Sequence, residues 1–275
     1  MFLRSFLRVL PKTSSARCSG FLQTTNKQFF STSLERNKQV QFIESKLVPG
    51  LLCCDSFLSE KEEVNLENFM KQTKSGKPEN FGKGVYCSLV LPEDDEWYES
   101  LESNLLTLFN RCTVLNQFPA IGVVLLKYDA DGCLPPHMDD PNKYGPVVVT
   151  IGIGSPAVLQ MQLHSEQEKR TERVLLAKGS CYAMTGPARY QWHHGIEPGS
   201  EIVIDGQHFQ RATRYALLFT PPLQKYSGPV LLRHPKLSRG CFLAHYQSGV
   251  LVLSDTEYAT IDQTVQMIDR GQLDM

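Results

Sequence analysis

Hydrophobic positions change their spacing about halfway along the chain. In Glu60–Lys71 they recur as in an amphipathic helix, and a second helix is predicted around Glu96–Phe109. Ser59 is followed three residues later by Glu62, which is the pattern of a capping box at the start of the first helix. The first half of the chain is therefore predicted to supply helices that precede the rest of the fold.

From Ile121 onward, short runs rich in β-branched and aromatic residues are separated by Gly, Pro and Asp. The predicted strands are Ile121–Lys127, Val147–Ile153, Ala157–Leu163, Arg173–Ala177, Cys181–Met184, Tyr190–His194, Glu201–Ile204 and Tyr215–Phe219. Asp205-Gly206, between two of them, is a hairpin signal. Strands behind a helical lead-in predict a mainly β protein with flanking helices (α+β), folded as a double-sheet jelly roll. A parallel α/β sheet, the alternative, would need amphipathic helices between the strands.

Composition gives the N-terminus a separate role. Residues 1–34 contain five basic residues and ten Ser or Thr, and no acidic residue occurs before Glu35. This pattern predicts a mitochondrial presequence, and hence a matrix protein, with a disordered basic tail as the alternative. Removal of residues 1–34 takes the formal net charge from −1 to −6 over the remaining 241 residues, so the mature protein would be acidic.

The remaining chain is predicted to divide near residue 225. Residues 35–224 hold the predicted helices and strands, and include a polar, locally basic loop at residues 71–84. Residues 225–275 are a C-terminal appendage of unknown role, with a predicted strand at Gly249–Leu253 and a predicted helix at Thr256–Met267. No apolar run reaches the roughly 18 residues that a membrane-spanning helix needs, so no transmembrane segment is expected.

A candidate metal site follows the first predicted strand. His137 and Asp139 lie two apart on an extended segment, so their side chains point to the same side and can bind one ion. His194 lies at the end of another predicted strand. Two histidines and one carboxylate leave three coordination positions open, which suits non-haem Fe(II) chemistry with O2. Zinc, a structural metal, or no metal at all are the alternatives for such a trio.

The order of short motifs around these residues resembles the AlkB family of Fe(II)- and 2-oxoglutarate-dependent dioxygenases. The motifs, within about residues 47–222, are Pro49-Gly50-Leu51, Phe57-Leu58-Ser59, Tyr128, Pro135-Pro136-His137-x-Asp139, Gly152-x-Gly154-Ser155-x-Ala157-Val158-Leu159, Gly186-x-x-Arg189-Tyr190, His194-Gly195-Ile196 and Arg214. The resemblance implies the double-stranded β-helix (jelly roll) of these dioxygenases. It also implies an oxidoreductase that uses Fe(II), 2-oxoglutarate as cosubstrate, and O2.

The resemblance assigns roles to individual residues. The implied metal ligands and catalytic centre are His137, Asp139 and His194. Tyr128 fills the position that hydrogen-bonds the cosubstrate, with packing in the barrel as the alternative. Arg214 fills the position that holds the distal carboxylate of the cosubstrate, and the alternative is Arg211, otherwise interpreted as a surface residue of the hairpin. His193 is expected to face away from the metal, because adjacent residues of a strand point to opposite faces.

Three positions depart from the family pattern. Leu126, Ala216 and Thr220 stand where family members usually carry an Asn, a polar residue and a second Arg. The acidic residue that some nucleotide demethylases carry after the His-x-Asp motif would fall near Pro141. These departures imply fewer polar contacts to the cosubstrate and a substrate other than the standard alkylated base.

The resemblance predicts oxidative demethylation or hydroxylation of methylated RNA or DNA in mitochondria. Loop 71–84 would bind the nucleic acid, because its lysines lie where the family's substrate lid lies and Phe81 and Tyr86 can stack on a base. An acidic mature chain provides no general attraction to phosphates. One alternative is a protein or metabolite hydroxylase or demethylase of the same fold. The other is a weakly catalytic regulatory protein that binds the metal or 2-oxoglutarate.

Overall fold

The computed structural model describes residues 40–71, 82–87, 104–163, 169–237, 241–253 and 257–273. The predicted presequence, most of loop 71–84 and residues 96–103 of the predicted second helix lie outside these ranges. Within the described part of the chain, no helix combines the length and the apolar character needed to cross a membrane.

The described elements are mostly short β-strands. The helices are α1 (Glu60–Lys71), α2 (residues 104–111), the five-residue α3 (Gly186–Tyr190) and α4 (Ile261–Asp269). The first strands are β1 (Ile43–Glu44), β2 (Leu51–Cys54), β3 (Lys83–Cys87), β4 (Ala120–His137), β5 (Val148–Gly154), β6 (Ala157–Leu163), β7 (Thr171–Leu176) and β8 (Cys181–Met184). The later strands are β9 (Trp192–Ile196), β10 (Glu201–Ile204), β11 (Gln207–Gln210), β12 (Arg214–Thr220), β13 (Ser227–Arg233), β14 (Cys241–Gln247), β15 (Val250–Val252) and β16 (Tyr258–Ala259).

Apart from β10 and β11, which pair only with each other, the described strands form two antiparallel layers that share β4. The first layer has the order β1-β2-β8-β5-β12-β4-β13-β14-β15-β16, and β3 also pairs with β4. The second layer has the order β7-β6-β9, and β9 pairs with the far end of β4. Two packed layers with this antiparallel pairing confirm the predicted jelly roll with flanking helices.

Alternating side chains give the first layer two different faces. On β12, Tyr215, Leu217 and Phe219 pack in a core with residues of α1 and α2. Ala216 packs in a second core, between the layers, with residues of β6 and β9. Because the side-chain period of a strand is two, Arg214 shares the inward face with Ala216. The candidate site residues on these strands therefore face the interior of the jelly roll.

The helical layer begins as predicted. Helix α1 has the predicted bounds, and its capping box is present: the Ser59 N–H donates to Oε2 of Glu62 at 2.9 Å, and the Glu62 N–H lies 3.4 Å from Oγ of Ser59. Glu62 also forms a buried ion pair with Arg111 at the end of α2. This pair links the two helices that cover the first layer.

Several predicted boundaries were wrong, most clearly those of β4, of β9 and of the C-terminal helix, which begins at Ile261 and not at Thr256 because Thr260 forms its N-cap. Strand β4 runs ten residues past the predicted end at Lys127, because pairing with β3 and β9 keeps Asp129–His137 extended, with shifts in register, despite Gly132 and two prolines. Strand β9 begins two residues later than predicted, because Pro187 near the start of Gly186–Tyr190 favours a helical turn there.

The predicted hairpin at Asp205-Gly206 is confirmed. Both residues have positive φ angles, 51° and 76°, as a type I′ turn requires, and β10 and β11 pair on either side of it.

The C-terminal appendage continues the first layer. Strand β13 pairs with Ala120–Gly122 at the start of β4, and β14, β15 and β16 follow in order. The Tyr226 hydroxyl lies 3.0 Å from the carbonyl oxygens of Val123 and Pro229. A Cβ atom on Gly122 would approach the Tyr226 ring to 2.6 Å, so glycine is required at this contact.

Candidate metal centre and anion pocket

Three potential metal ligands converge at one end of the jelly roll. His137 ends β4 and lies opposite His194 of β9, while Asp139 follows two residues after β4. The Asp139 carboxylate lies between the two rings, with Oδ1 3.6 Å from Nε2 of His137 and Oδ2 3.7 Å from Nε2 of His194. One ligand atom from each residue lies within 4.8 Å of the others. These separations suit donors around a shared ion better than direct hydrogen bonds.

The chemistry of the donor atoms fits a divalent metal. His137 places Nδ1 3.0 Å from the Pro135 carbonyl oxygen, which fixes the proton on Nδ1 and leaves Nε2 with its lone pair. Oδ2 of Asp139 is buried and has no hydrogen-bond partner among the described residues. A buried carboxylate oxygen in that state is unfavourable unless a cation compensates it. Two imidazoles and one carboxylate form the facial triad of non-haem Fe(II) oxygenases.

Burial and charge set the protonation states of the triad. Burial lowers the pKa of His194 to about 4, so its imidazole is neutral at physiological pH, as a metal ligand must be. For His137, burial acts in the same direction, but Asp139 and the Pro135 carbonyl outweigh it and raise the pKa. Burial would raise the pKa of Asp139, but His137, His194 and Arg189 lower it, so the carboxylate is ionised.

Arg214 provides a buried positive charge on the interior face. It starts β12, lies opposite Tyr128 of β4, and is 2% exposed. Its Nη1 donates to the Ser155 carbonyl at 2.7 Å. Burial lowers the Arg214 pKa, and the described residues place no carboxylate in an ion pair with it. A guanidinium in this state suits a carboxylate ligand, because its planar fork can form two parallel hydrogen bonds.

Residues of the Gly152-x-Gly154-Ser155 motif contact the Arg214 guanidinium. A Cβ atom on Gly152 would lie 2.1 Å from Nη2 of Arg214, so the guanidinium can occupy this position only if residue 152 is glycine. Gly154 has a φ of +86°, and its N–H donates to Oε1 of the buried Glu63 at 2.8 Å. The sequence showed the motif but did not reveal that it supports Arg214.

Tyr128 and Tyr182 add two hydroxyl groups to the interior. Tyr128 is 3% exposed and faces the same interior as Arg214. Sequence reasoning missed Tyr182 of β8, because nothing local distinguishes it from a core aromatic residue. Burial raises the Tyr182 pKa to about 12, and the charges of Asp139 and Arg214 both act on it. Its hydroxyl therefore keeps its proton to a higher pH than an exposed tyrosine does.

The three departures from the family pattern have structural consequences. Leu126 and Ala216 are direct cross-strand partners, so they place an apolar pair beside the Tyr128–Arg214 pair. Thr220 uses its Oγ1 to accept a hydrogen bond from the Gly145 N–H at 3.1 Å. The interior next to Arg214 along β12 and β4 is therefore less polar than the family pattern implies.

Two residues weighed from the sequence lie away from these groups. Arg211 is not a surface residue: it is 6% exposed and donates to the carbonyl oxygens of Gly132, Glu197 and Gly199. The interpretation as a surface residue was wrong because the loops around the hairpin fold over it. His193 pairs with Gln162, and its neighbour His194 pairs with Met161, so the two rings lie on opposite faces of β9.

The described ends of the basic loop carry lysines that are already paired. Lys71 forms an ion pair with Glu67 at 2.8 Å, and Lys83 with Asp131 at 2.6 Å. The Tyr86 hydroxyl donates to Asp129 at 3.0 Å. The loop's other lysines between α1 and β3, Lys74 and Lys77, and the aromatic residue Phe81 lie outside the described residues.

This jelly roll, with a partly exposed histidine, a buried carboxylate and a buried histidine on the same interior as the buried Arg214, is typical of Fe(II)- and 2-oxoglutarate-dependent dioxygenases. The family model for the 2OG-Fe(II) oxygenase superfamily matches residues 82–219, half of the chain. The chain therefore belongs to this superfamily, whose members are oxidoreductases that use Fe(II), 2-oxoglutarate and O2. The relatives that it resembles include AlkB homologues.

The relatives include two AlkB homologues from mouse. The chain is 26% identical over 168 residues to tRNA (carboxymethyluridine(34)-5-O)-methyltransferase ALKBH8, covering 55% of this chain and 25% of that protein. It is 26% identical over 96 residues to the mitochondrial alpha-ketoglutarate-dependent dioxygenase alkB homolog 7, covering 35% and 43%. The chain thus spans less than half of either relative. The solved structure of OsALKBH1 is 17% identical, with a TM-score of 0.41, covering 64% of this chain and all of that one.

Proposed function

We propose that this chain is a mitochondrial dioxygenase that oxidises a methyl group on RNA or DNA, giving a demethylated or hydroxylated product. The observation that carries the oxygenase chemistry is the convergence of His137, Asp139 and His194 beside the buried Arg214. The nucleic-acid substrate is the finer part of the proposal and rests on separate arguments.

Each residue of the site would bind a different group. His137, Asp139 and His194 would hold Fe(II), and Arg214 would hold the distal carboxylate of 2-oxoglutarate, with Tyr128 donating a hydrogen bond to it. When bound, the iron, 2-oxoglutarate and O2 supply the oxidation of a C–H bond, with succinate and CO2 as the coproducts. The apolar pair Leu126 and Ala216 helps to keep water away from this pocket.

Two observations support a nucleic-acid substrate. The mouse relative ALKBH8 is named as a tRNA methyltransferase, so that protein acts on tRNA. In this chain, Lys74 and Lys77 lie in the sequence between α1 and β3, and β3 pairs with the part of β4 that carries Tyr128. Lysine side chains can bind the phosphates of a nucleic acid whose base enters an active site.

A protein side chain or a small metabolite is the second candidate substrate. It is favoured by the pairing of Lys71 with Glu67 and of Lys83 with Asp131, which uses two of the loop's lysines within the protein. Removal of residues 1–34 would leave a net charge of −6, which also disfavours binding to the phosphates of a nucleic acid.

The oxygenase chemistry is tested by binding and turnover. Fe(II) and 2-oxoglutarate are titrated together without air, and succinate is then measured in air. We expect iron-dependent binding of 2-oxoglutarate that is lost in His137→Ala and retained in His193→Ala, the neighbour of His194 on the opposite face. Binding that needs no iron, or that is unaffected in His137→Ala, contradicts the metal site. Binding without succinate release with any substrate favours a regulatory protein.

The substrate is tested with methylated and unmethylated RNA oligomers. We expect succinate release to rise with the methylated oligomer, and binding to weaken with salt and in the double variant Lys74→Gln/Lys77→Gln. The matched control is Lys71→Gln, because Lys71 is already paired with Glu67. If the oligomer, the salt and the two lysines all make no difference, the nucleic-acid substrate is wrong.

The mitochondrial location is tested by N-terminal sequencing of the protein isolated from mitochondria. The presequence composition of residues 1–34 supports it, and so does the mitochondrial location in the name of the mouse alkB homolog 7. We expect a mature N-terminus close to residue 35. A mitochondrial protein that starts at Met1 contradicts cleavage of the presequence, and absence of the protein from mitochondria contradicts the location.

A further inference from the structure

Arg189 is the largest buried side chain near the metal triad that the proposed chemistry does not use. It is 1% exposed and lies on α3, five residues before His194. All three of its nitrogens donate to carbonyl oxygens: Nη1 to Asp139 at 3.0 Å, Nη2 to Tyr144 at 2.9 Å and Nε to Gly145 at 3.1 Å. The three acceptors belong to a single segment, which begins at the carboxylate ligand.

Asp139 differs from the two histidines in how its backbone is held. His137 and His194 lie in paired strands and face each other across the β4–β9 ladder. Asp139 lies beyond the end of β4, in a segment whose described β pairing is limited to an isolated bridge between Tyr144 and Pro222. Its carboxylate can stay between the two rings only if something else fixes its backbone, and Arg189 contacts that backbone directly.

The segment Asp139–Gly145 is also fixed at its far end. The Gly145 N–H donates to the Pro221 carbonyl at 2.9 Å and to Oγ1 of Thr220 at 3.1 Å. Within the segment, the Asp140 carbonyl accepts from the N–H groups of Lys143 and Tyr144. Arg189 therefore closes a rigid turn by holding both its first carbonyl and its last two.

We propose that Arg189 is a positioning residue for the metal centre, which holds the Asp139 carboxylate in place relative to His194. Because Arg189 and His194 belong to the same α3–β9 unit, one side chain links the carboxylate ligand to the element that carries the second histidine. The guanidinium suits this role because its fixed fork reaches three carbonyls at once, which an ammonium cannot do. This inference rests on the proposed role of the triad as metal ligands.

Metal affinity tests the inference without relying on turnover. Purified full-length protein and its variants are titrated with Co(II) without air, and the visible absorption of the bound ion gives the dissociation constant and the coordination. We expect Arg189→Gln to weaken Co(II) binding by about 10- to 100-fold, the usual effect of losing a group that orients a metal ligand. Arg189→Lys, which keeps the charge but not the fork, is expected to fall between Arg189→Gln and the native protein.

Arg211→Gln is the matched control. Arg211 is also a buried arginine that donates to three carbonyls, but its acceptors are Gly132, Glu197 and Gly199, none of which is a triad residue. We expect a similar loss of thermal stability and less than about a threefold change in Co(II) affinity. Native affinity in Arg189→Gln, or an equal loss in Arg211→Gln, overturns the inference. If Arg189→Gln does not fold, native affinity and spectrum in Arg189→Lys overturn it. Absence of Co(II) binding in the native protein instead contradicts the metal site itself.

Discussion

The Arg214 guanidinium lies where a side chain at residue 152 would be. A Cβ atom at this position would come within 2.1 Å of Nη2, far inside van der Waals contact, so Gly152→Ala must displace the guanidinium. We expect the dissociation constant for 2-oxoglutarate to rise by roughly 10- to 100-fold, because hydrogen bonds to a charged group contribute about 1.5–3 kcal/mol. Anaerobic titration of the iron-loaded protein measures this constant.

Gly206→Ala is the control for Gly152→Ala. Gly206 has a φ of +76° and no neighbour within 4 Å of an added Cβ, so alanine there strains an exposed turn without touching the pocket. We expect reduced stability and unchanged 2-oxoglutarate affinity. Unchanged affinity in Gly152→Ala would show that Arg214 does not hold the cosubstrate.

Tyr182 makes the stability of the protein sensitive to alkaline pH. Burial raises its pKa to about 12, whereas an unfolded tyrosine titrates near 10. Between these values the unfolded state releases a proton that the folded state retains, so stability falls as pH rises from 10 to 12, by at most about 3 kcal/mol. We expect Tyr182→Phe to reduce this fall, measured as the free energy of unfolding in urea from pH 9 to 12. An equally steep fall in the variant would contradict the assignment.

At the scale of elements, a buried ion pair joins α1 to α2. Glu62 and Arg111 are each 4% exposed, and Nη1 of Arg111 donates to Oε2 of Glu62 at 3.1 Å. Arg111→Met leaves a buried carboxylate without its cation, so we expect the free energy of unfolding to fall by about 3–5 kcal/mol. The double variant Glu62→Gln/Arg111→Met should recover part of this loss, as measured by urea denaturation. Equal losses in the single and the double variant would show that the charge is not the cause.

Elements with local signals were predictable from the sequence. The bounds of α1 follow from apolar spacing and from Ser59 and Glu62, which contact each other within one helical turn. The Asp205-Gly206 hairpin likewise depends on the φ angles of two adjacent residues. The far half of β4 had no such signal, because pairing with β3 and β9, which are distant in sequence, holds it extended.

The same distinction applies to the candidate site. His137 and Asp139 share a short motif, and the motif order also indicated His194 and Arg214. The motifs also contained Gly152 and Arg189, but the sequence did not reveal what these two residues contact, and it gave no signal for Tyr182. The roles of all three depend on neighbours that only the fold brings near.

At the scale of the molecule, the C-terminal residues share the core of the dioxygenase fold. Leu231 of β13 packs in the same core as α1 and α2, while its neighbours Val230 and Leu232 pack in the C-terminal core with Leu251. One strand thus contributes to both cores. We infer that the jelly roll and the C-terminal extension unfold together.

This cooperativity can be tested with one leucine from each of the two cores. Leu231 and Leu251 are both fully buried, so each Leu→Ala variant should lose about 2–5 kcal/mol. If unfolding is cooperative, both variants lower the midpoint of the same single transition, whether it is followed by far-UV circular dichroism or by Trp192 fluorescence in a Trp97→Phe background. Trp192 lies in the second layer and is 3% exposed, so its signal reports on the jelly roll. Val203→Ala, at a side chain that is 45% exposed, should change stability by about 0.5 kcal/mol or less. A Trp192 transition that is unchanged in Leu251→Ala would mean that the C-terminal extension unfolds independently, because the lost packing would then not reach the layer that carries His194.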